Sequence, residues 1–278
     1  MKHKTKLYAA LAGLIAITGM ISCKKEVAEA PKTDVSINSE KPKALQRTGS
    51  VILLSKAGNT TLSYLPNNKV STVNYGNGNL KVYSYSSQFN VIIANGYYAG
   101  KKTTQVTYFM TAAGTPSKLS YKAFNSLGNV TIDAEYQFTY TNGKLTEQKA
   151  TKGFSDKYLF KYDGKGRLEW LEQYNGNGQL VQKWNYKYGD YISQTEIADK
   201  NLINPGETFL DDYLKIFGVF SSDLVRVEKW YKGGALKTHH SFNYLLNNNG
   251  YPNQRKELDA LNNSQLVETI GYDYLVSL

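Results

Sequence analysis

The chain of 278 residues contains one cysteine and three histidines. Zinc sites are built chiefly from Cys and His, and thiol or imidazole catalysis needs the same side chains. No metal centre, no cofactor and no catalyst of that kind is therefore expected. His239 and His240 are adjacent, and neighbours on a strand point to opposite faces, which assigns them to packing rather than to a shared metal. Arginine is scarce as well. The 33 basic residues against 23 acids give a net charge of +10, but the guanidinium groups are those of Arg47, Arg167, Arg226 and Arg255 alone. Bidentate phosphate and base contacts rely on Arg, so nucleic acid is not an expected partner. Lysines interspersed with acids read instead as a solvated face, open to anionic envelope surfaces. The longest apolar run, Leu7 to Ile21, falls short of the roughly 20 residues that a spanning helix needs.

That run has a different use. Lys2, Lys4 and Lys6 precede it, giving the charged start and apolar middle of an export signal. It ends at Met20-Ile21-Ser22-Cys23, which resembles a bacterial lipobox, the site where a cysteine is lipidated and becomes the new N-terminus. The expected organisation is a lipoprotein signal peptide over 1–22, a lipidated Cys23, a flexible tether over 23–50 and a single folded domain over 51–278. The tether carries Pro31, Pro42 and many charges, and as a coil it would reach roughly 25 to 30 Å. The membrane, reached through the N-terminal lipid, is thus an expected partner, and the expected location is the cell envelope, at the outer membrane.

What the chain has in excess is tyrosine, 23 residues beside 10 Phe and 3 Trp. From Val51 onward it is punctuated by turn signals such as Pro66-Asn67-Asn68, Asn142-Gly143, Asn175-Gly176-Asn177-Gly178 and Asn247-Asn248-Asn249-Gly250. Gly, Asn and Asp tolerate the positive φ that tight turns demand. Between these signals the pattern has period two. Tyr136, Phe138 and Tyr140 share one face and Glu135, Gln137 and Thr139 the other, and Tyr158, Phe160 and Tyr162 repeat the arrangement. One dry and one wet face is the signature of antiparallel sheet. The fold class is mainly β: an antiparallel meander of about 14–17 strands forming a curved sheet or barrel. One segment departs from this grammar. Asn204-Pro205-Gly206-Glu207 followed by Phe209, Leu210, Tyr213, Leu214 and Phe217 has the start signals and apolar spacing of one short helix near 205–217.

The segment Phe160-Lys161-Tyr162-Asp163-Gly164-Lys165-Gly166-Arg167-Leu168 is echoed by Gln173-Tyr174-Asn175-Gly176-Asn177-Gly178-Gln179-Leu180, and Asn142-Gly143-Lys144-Leu145 ends an earlier copy. The unit of about 12 residues, one strand plus one turn, resembles the Tyr-Asp (Rhs-like) repeats of bacterial surface proteins. With the lipobox, the pattern resembles the Bacteroidetes-type envelope lipoproteins of unknown function that have a porin-like fold. That resemblance implies an anchored envelope protein built on a barrel.

Motifs for chemistry are few. Gly96 to Lys102 lacks the spacing of a phosphate loop, and Asp163 to Gly166 lacks the acids of a calcium loop. Carboxylate pairs that suit polysaccharide hydrolysis are Glu169 with Glu172, Asp133 with Glu135, and Asp211 with Asp212. Aromatics are the stronger signal, because Tyr and Trp offer a rigid apolar face with a polar tip. Trp170, Trp184, Tyr186 and Trp230 are the candidate binding aromatics for an envelope glycan or protein partner. The expected function is a non-enzymatic binding or interaction module. The alternatives are a polysaccharide-acting hydrolase and a structural barrel associated with the outer membrane. The terminal alternation Ile270, Tyr272, Tyr274, Val276 fits the last of these. A continuous outward apolar band about 25 Å tall would favour an inserted barrel, and Lys or Glu on both faces at mid-height would exclude insertion.

Overall fold

The computed structural model describes residues 51–189, 197–199, 205, 208 and 210–277, so the expected signal peptide and tether, with Cys23, lie outside the described residues. The strands are β1 (Val51–Ala57), β2 (Thr60–Tyr64), β3 (Val70–Gly76), β4 (Asn79–Ser86), β5 (Val91–Tyr98), β6 (Lys101–Met110), β7 (Pro116–Phe124) and β8 (Val130–Thr141). They continue as β9 (Lys144–Lys152), β10 (Lys157–Tyr162), β11 (Leu168–Tyr174), β12 (Leu180–Lys187), β13 (Val227–Lys232), β14 (Ala235–Leu246), β15 (Pro252–Asp259) and β16 (Gln265–Ser277). Each pairs antiparallel with its neighbour in sequence, and β1 pairs with β16 from Val51↔Ser277 to Ala57↔Tyr272. The meander is therefore a closed 16-strand barrel. Closure removes the two unpaired edges that an open sheet of this length would present. The rim where β1 begins and β16 ends is called the upper rim below.

The repeat grammar is a particular turn. Six five-residue connections, 65–69, 111–115, 125–129, 163–167, 175–179 and 247–251, share the same pair of backbone hydrogen bonds, first residue to fifth and fourth to first. The fourth residue, Asn68, Gly114, Gly128, Gly166, Gly178 or Gly250, has positive φ in every case, which is why Gly or Asn recurs there. In four of them the first residue is Asn or Asp, and its side chain accepts the backbone N–H groups two and four residues on, as Asn175 does from Asn177 and Gln179 at 3.0 Å each. A register shift at the preceding residue accompanies each turn, at Tyr162 and Tyr174 for example. The extra residue of such a bulge bends and twists the strand, which helps the sheet curl.

Aromatic and aliphatic side chains point inward. In β8, Ala134, Tyr136 and Phe138 are buried, while Gln137 and Thr139 on the other face are exposed. The outer face also carries ion pairs: Lys118 with Glu135 at 2.9 Å, Lys152 with Asp133 at 2.7 Å and Lys161 with Glu172 at 2.8 Å. Glu135 and Gln137 lie near the middle of β8, so the wall is charged at mid-height and no continuous apolar band about 25 Å tall runs around it.

The long connection from β12 to β13 enters the barrel. Phe217 meets Tyr108 of β6 and Phe138 of β8, both with ring centroids 5.6 Å away. Phe220 meets Phe160 of β10 at 5.6 Å, and its carbonyl accepts the Leu168 N–H at 2.7 Å. Further down, Tyr213 lies 6.4 Å from Tyr75 near the far end of β3. A segment that touches β3, β6, β8 and β10 of a closed barrel occupies its lumen. The expected helix is not found among the described residues of this segment, which instead form a succession of turns over 210–217. The Leu210 N–H is bound by the Thr208 hydroxyl, the Tyr213 N–H by Asp211, and the Ile216 N–H by the Leu214 carbonyl. A helix presents its apolar stripe to one surface. Inside a barrel the walls lie on several sides, and apolar groups reach more of them from an irregular path.

Candidate binding site in the barrel lumen

A buried carboxylate helps to fix the plug. Asp211, 2% exposed, accepts the Lys81 ammonium at 2.9 Å and the Tyr83 hydroxyl at 2.8 and 3.0 Å. Lys81 and Tyr83 share the inward face of β4 with Tyr85. Burial alone would pull the Lys81 pKa down; the Asp211 carboxylate, with Tyr75 and Tyr108, outweighs it and holds the ammonium well above its usual range. Burial and then the Asp211 charge push the Tyr83 hydroxyl far up, so it remains a donor. Asp212 differs from its neighbour. Burial pushes its carboxyl up to about 6, Lys81 opposing the shift and Asp211 adding to it.

Between the plug and the wall of β1 to β6 lies a cavity of about 510 Å³, within the usual size range of small-ligand sites. Its wall includes Leu54, Leu62, Val70, Ile92 and Met110, and its plug side includes Asp212, Leu214, Lys215 and Ile216. Residues at the connections β2–β3 and β4–β5, Asn68, Lys69, Ser87 and Asn90, also line it, which places its mouth at the upper rim. Tyr64 and Tyr85, which also line it, donate their hydroxyls to the Leu54 and Val70 carbonyls at 2.6 and 2.7 Å.

The adjoining wall, β14 to β16, is polar. His240 Nδ1 lies 2.9 Å from Glu257, whose other oxygen meets Arg255 at 3.2 Å; Arg255 also stands 3.9 Å from Glu268 and lies over the Phe242 ring at 5.0 Å. Register places this set inside, since Tyr186 pairs with Glu228, Glu228 with His240, and Phe242 with Glu257. His239 and His240 take opposite faces, as adjacent strand positions must. No cluster of three or more His, Cys, Asp or Glu suited to a metal occurs among the described residues.

The four candidate aromatics do not form one surface. Trp184 and Tyr186 are core residues, 7% and 6% exposed. Trp230 pairs directly with Trp184 and donates its indole N–H to Gln182 at 3.2 Å. Trp170 belongs to the outer wall, paired with Lys161 and Asn185, and stands 6.4 Å from the Tyr231 ring. The Lys183 ammonium lies over both rings, at 4.5 and 5.2 Å. Of the carboxylate pairs, Asp133 and Glu135 are engaged by outer-wall lysines. Glu169 is exposed. Partial burial works against the Glu172 charge, but Lys161 and the Tyr174 hydroxyl hold its pKa below the usual range. Asp211 and Asp212 are the pair that reaches the lumen. Sequence reasoning passed over Lys81, Lys69, Lys215 and the Arg255–Glu257 pair. For Lys81 a signal existed, a lysine on the same strand face as Tyr83 and Tyr85, whereas Lys69 and Lys215 sit on connections without periodicity.

No family model matches the chain, and no curated protein is significantly similar to it in sequence. Solved structures similar to it in architecture include two porin-like proteins. A porin-like protein from Bacteroides uniformis aligns with a TM-score of 0.57 at 15% identity, over 83% of this chain and 93% of that one. A porin-like protein from Bacteroides vulgatus aligns with a TM-score of 0.55 at 14% identity, over 81% of this chain and 99% of that one. The chain is thus similar in fold to porin-like proteins of Bacteroides, over nearly the full length of each.

Proposed function

We propose that the chain is a lipid-anchored envelope protein whose barrel stands in water beside the outer membrane, as a non-enzymatic structural and binding module. The observation that carries this reading is the inversion of the two faces: aromatic side chains fill the interior, and Lys, Glu and Asp pair on the outer wall at mid-height. A membrane barrel has the reverse arrangement, apolar outside and polar within. The porin-like neighbours support the barrel, and the plug held by Asp211 supports a closed lumen rather than a conducting one. On this reading an envelope glycan or protein would meet the outer wall at Trp170 and Tyr231, the exterior aromatic pair.

Attachment then depends on Cys23. Several acyl chains hold a protein firmly, each buried CH₂ contributing about 0.8 kcal/mol. The experiment is membrane fractionation of cells producing the native chain or Cys23→Ala. The native protein is expected in the membrane pellet and the variant in the soluble fraction after osmotic release. Retention of Cys23→Ala in washed membranes would mean that the barrel inserts, and the proposal would be withdrawn.

A further inference from the structure

We propose that the cavity beneath the upper rim binds an amphiphile with one unbranched apolar chain and an anionic head, such as a fatty carboxylate. The walls argue for the chain. They are largely aliphatic, and of the three tyrosines in the lining Tyr64 and Tyr85 have committed their hydroxyls to backbone carbonyls while that of Tyr213 is hydrogen-bonded with Thr60, so the interior gives a polar body little to bond with. The charges argue for the head. Lys69 and Lys215 both line the cavity, and neither forms an ion pair with a carboxylate among the described residues. Lys69 reaches over the Tyr85 ring, 5.0 Å from its centroid, at the mouth. Partial desolvation pulls Lys215, whose side chain stays exposed, below its usual pKa, with Asp199 as the opposing charge, which is the condition of a cation that an anion would stabilise. Asn68, Ser87 and Asn90 at the rim supply neutral polar groups around the same opening. Asp212 is the one carboxylate of the lining; with its pKa raised to about 6, it opposes an anion least at and below that pH. The space, about 510 Å³, has the capacity of a small-ligand site but not of a folded partner.

This inference goes beyond the anchored-barrel reading and is independent of it, because it is tested on the chain from Cys23 to Leu278 made without lipid. Calorimetric titration with dodecanoate, dodecyl phosphate, dodecan-1-ol and acetate separates the contributions of chain and head. Dodecanoate is expected to bind, dodecan-1-ol at least tenfold more weakly, and acetate not at all. Dodecyl phosphate binding as well as dodecanoate would identify a general monoacyl anion site, and a carboxylate preference would point to fatty acids; both sustain the proposal. The Lys69→Met, Lys215→Met double variant should lose the advantage of the anion over the alcohol. Ile216→Trp should reduce binding of every chain by filling the cavity, with thermal melting confirming that each variant is folded. Absence of dodecanoate binding, equal binding of the alcohol, or an unchanged preference in a folded lysine double variant would overturn the proposal.

Discussion

Replacing Asp211 by Ala tests whether the β12–β13 segment is a structural plug. The carboxylate is buried and receives hydrogen bonds from Lys81, Tyr83 and the Tyr213 N–H. Its removal leaves an ammonium without a counter-charge and a buried hydroxyl without its acceptor. Breaking a buried pair by deleting one partner typically costs about 3 to 5 kcal/mol, and a stranded hydroxyl about 1 to 3 kcal/mol. The two do not add fully, because the Lys81 side chain keeps 25% exposure and can recover some hydration. We expect a loss of about 4 kcal/mol at pH 7. For a domain of this size each kcal/mol moves the midpoint by roughly 2 to 4 °C, so Asp211→Ala should melt roughly 8 to 16 °C below the parent by scanning calorimetry. Adding Lys81→Met removes the stranded charge and should restore at least about 2 kcal/mol, a coupling readable from the double-mutant cycle. The folded-state pKa of Lys81 is raised, so the stability that its charge contributes is present at neutral pH and is lost only as the solution becomes alkaline beyond the unfolded lysine value. A melting shift under about 2 °C for Asp211→Ala, or a double variant less stable than the single one, would refute this account of the plug.

Three further perturbations bear on the fold. Asp212 is the opposite case to a paired carboxylate: its pKa rises from 3.8 to about 6 on folding, so its ionisation destabilises the folded state by an amount that is zero below about pH 4, grows to about pH 6 and levels off at about 3 kcal/mol, from 1.36 kcal/mol per unit. Urea denaturation should therefore show Asp212→Asn stabilising at pH 8 and near neutral at pH 3.5, and equal effects at both would contradict the assignment. Gln148 is fully buried with neither amide atom hydrogen-bonded; Gln148→Met, of similar volume, should raise stability by about 1 to 2 kcal/mol, and a lower urea midpoint would count against it. Asn175→Ala deletes the two side-chain acceptor bonds that set the β11–β12 turn and should cost about 1 kcal/mol, whereas the exposed Asn177→Ser, which retains the backbone N–H and so leaves both bonds in place, should change the urea midpoint little.

Strand identity was legible in the alternation because a period of two is a local property. Tyr136, Phe138 and Tyr140 against Glu135, Gln137 and Thr139 mark a strand whichever neighbours it pairs with. The turns were legible for a related reason: Asp163 and Asn175 cap their own backbones within five residues, so the signal and its cause lie in the same short segment. The candidate aromatics were less so. Trp170 and Trp184 look alike in a list of residues, yet one stands on the outer wall and the other in the core, because the bulges at Tyr162 and Tyr174 change which residues share a face.

The segment around 205–217 misled for a specific reason. Its apolar spacing is that of a helical face, and Leu210, Leu214 and Phe217 are indeed buried, but they are buried against walls on several sides of a lumen that exists only once β1 has met β16. The scarcity of Cys, His and Arg, the period-two aromatics and the turn grammar thus determined the class of the fold, because each is written in neighbouring residues. Closure, the entry of the plug, the pairing of Asp211 with Lys81 across 130 positions and the cavity beside Lys69 and Lys215 were decided by tertiary structure alone, because each depends on groups that only the closed barrel brings together.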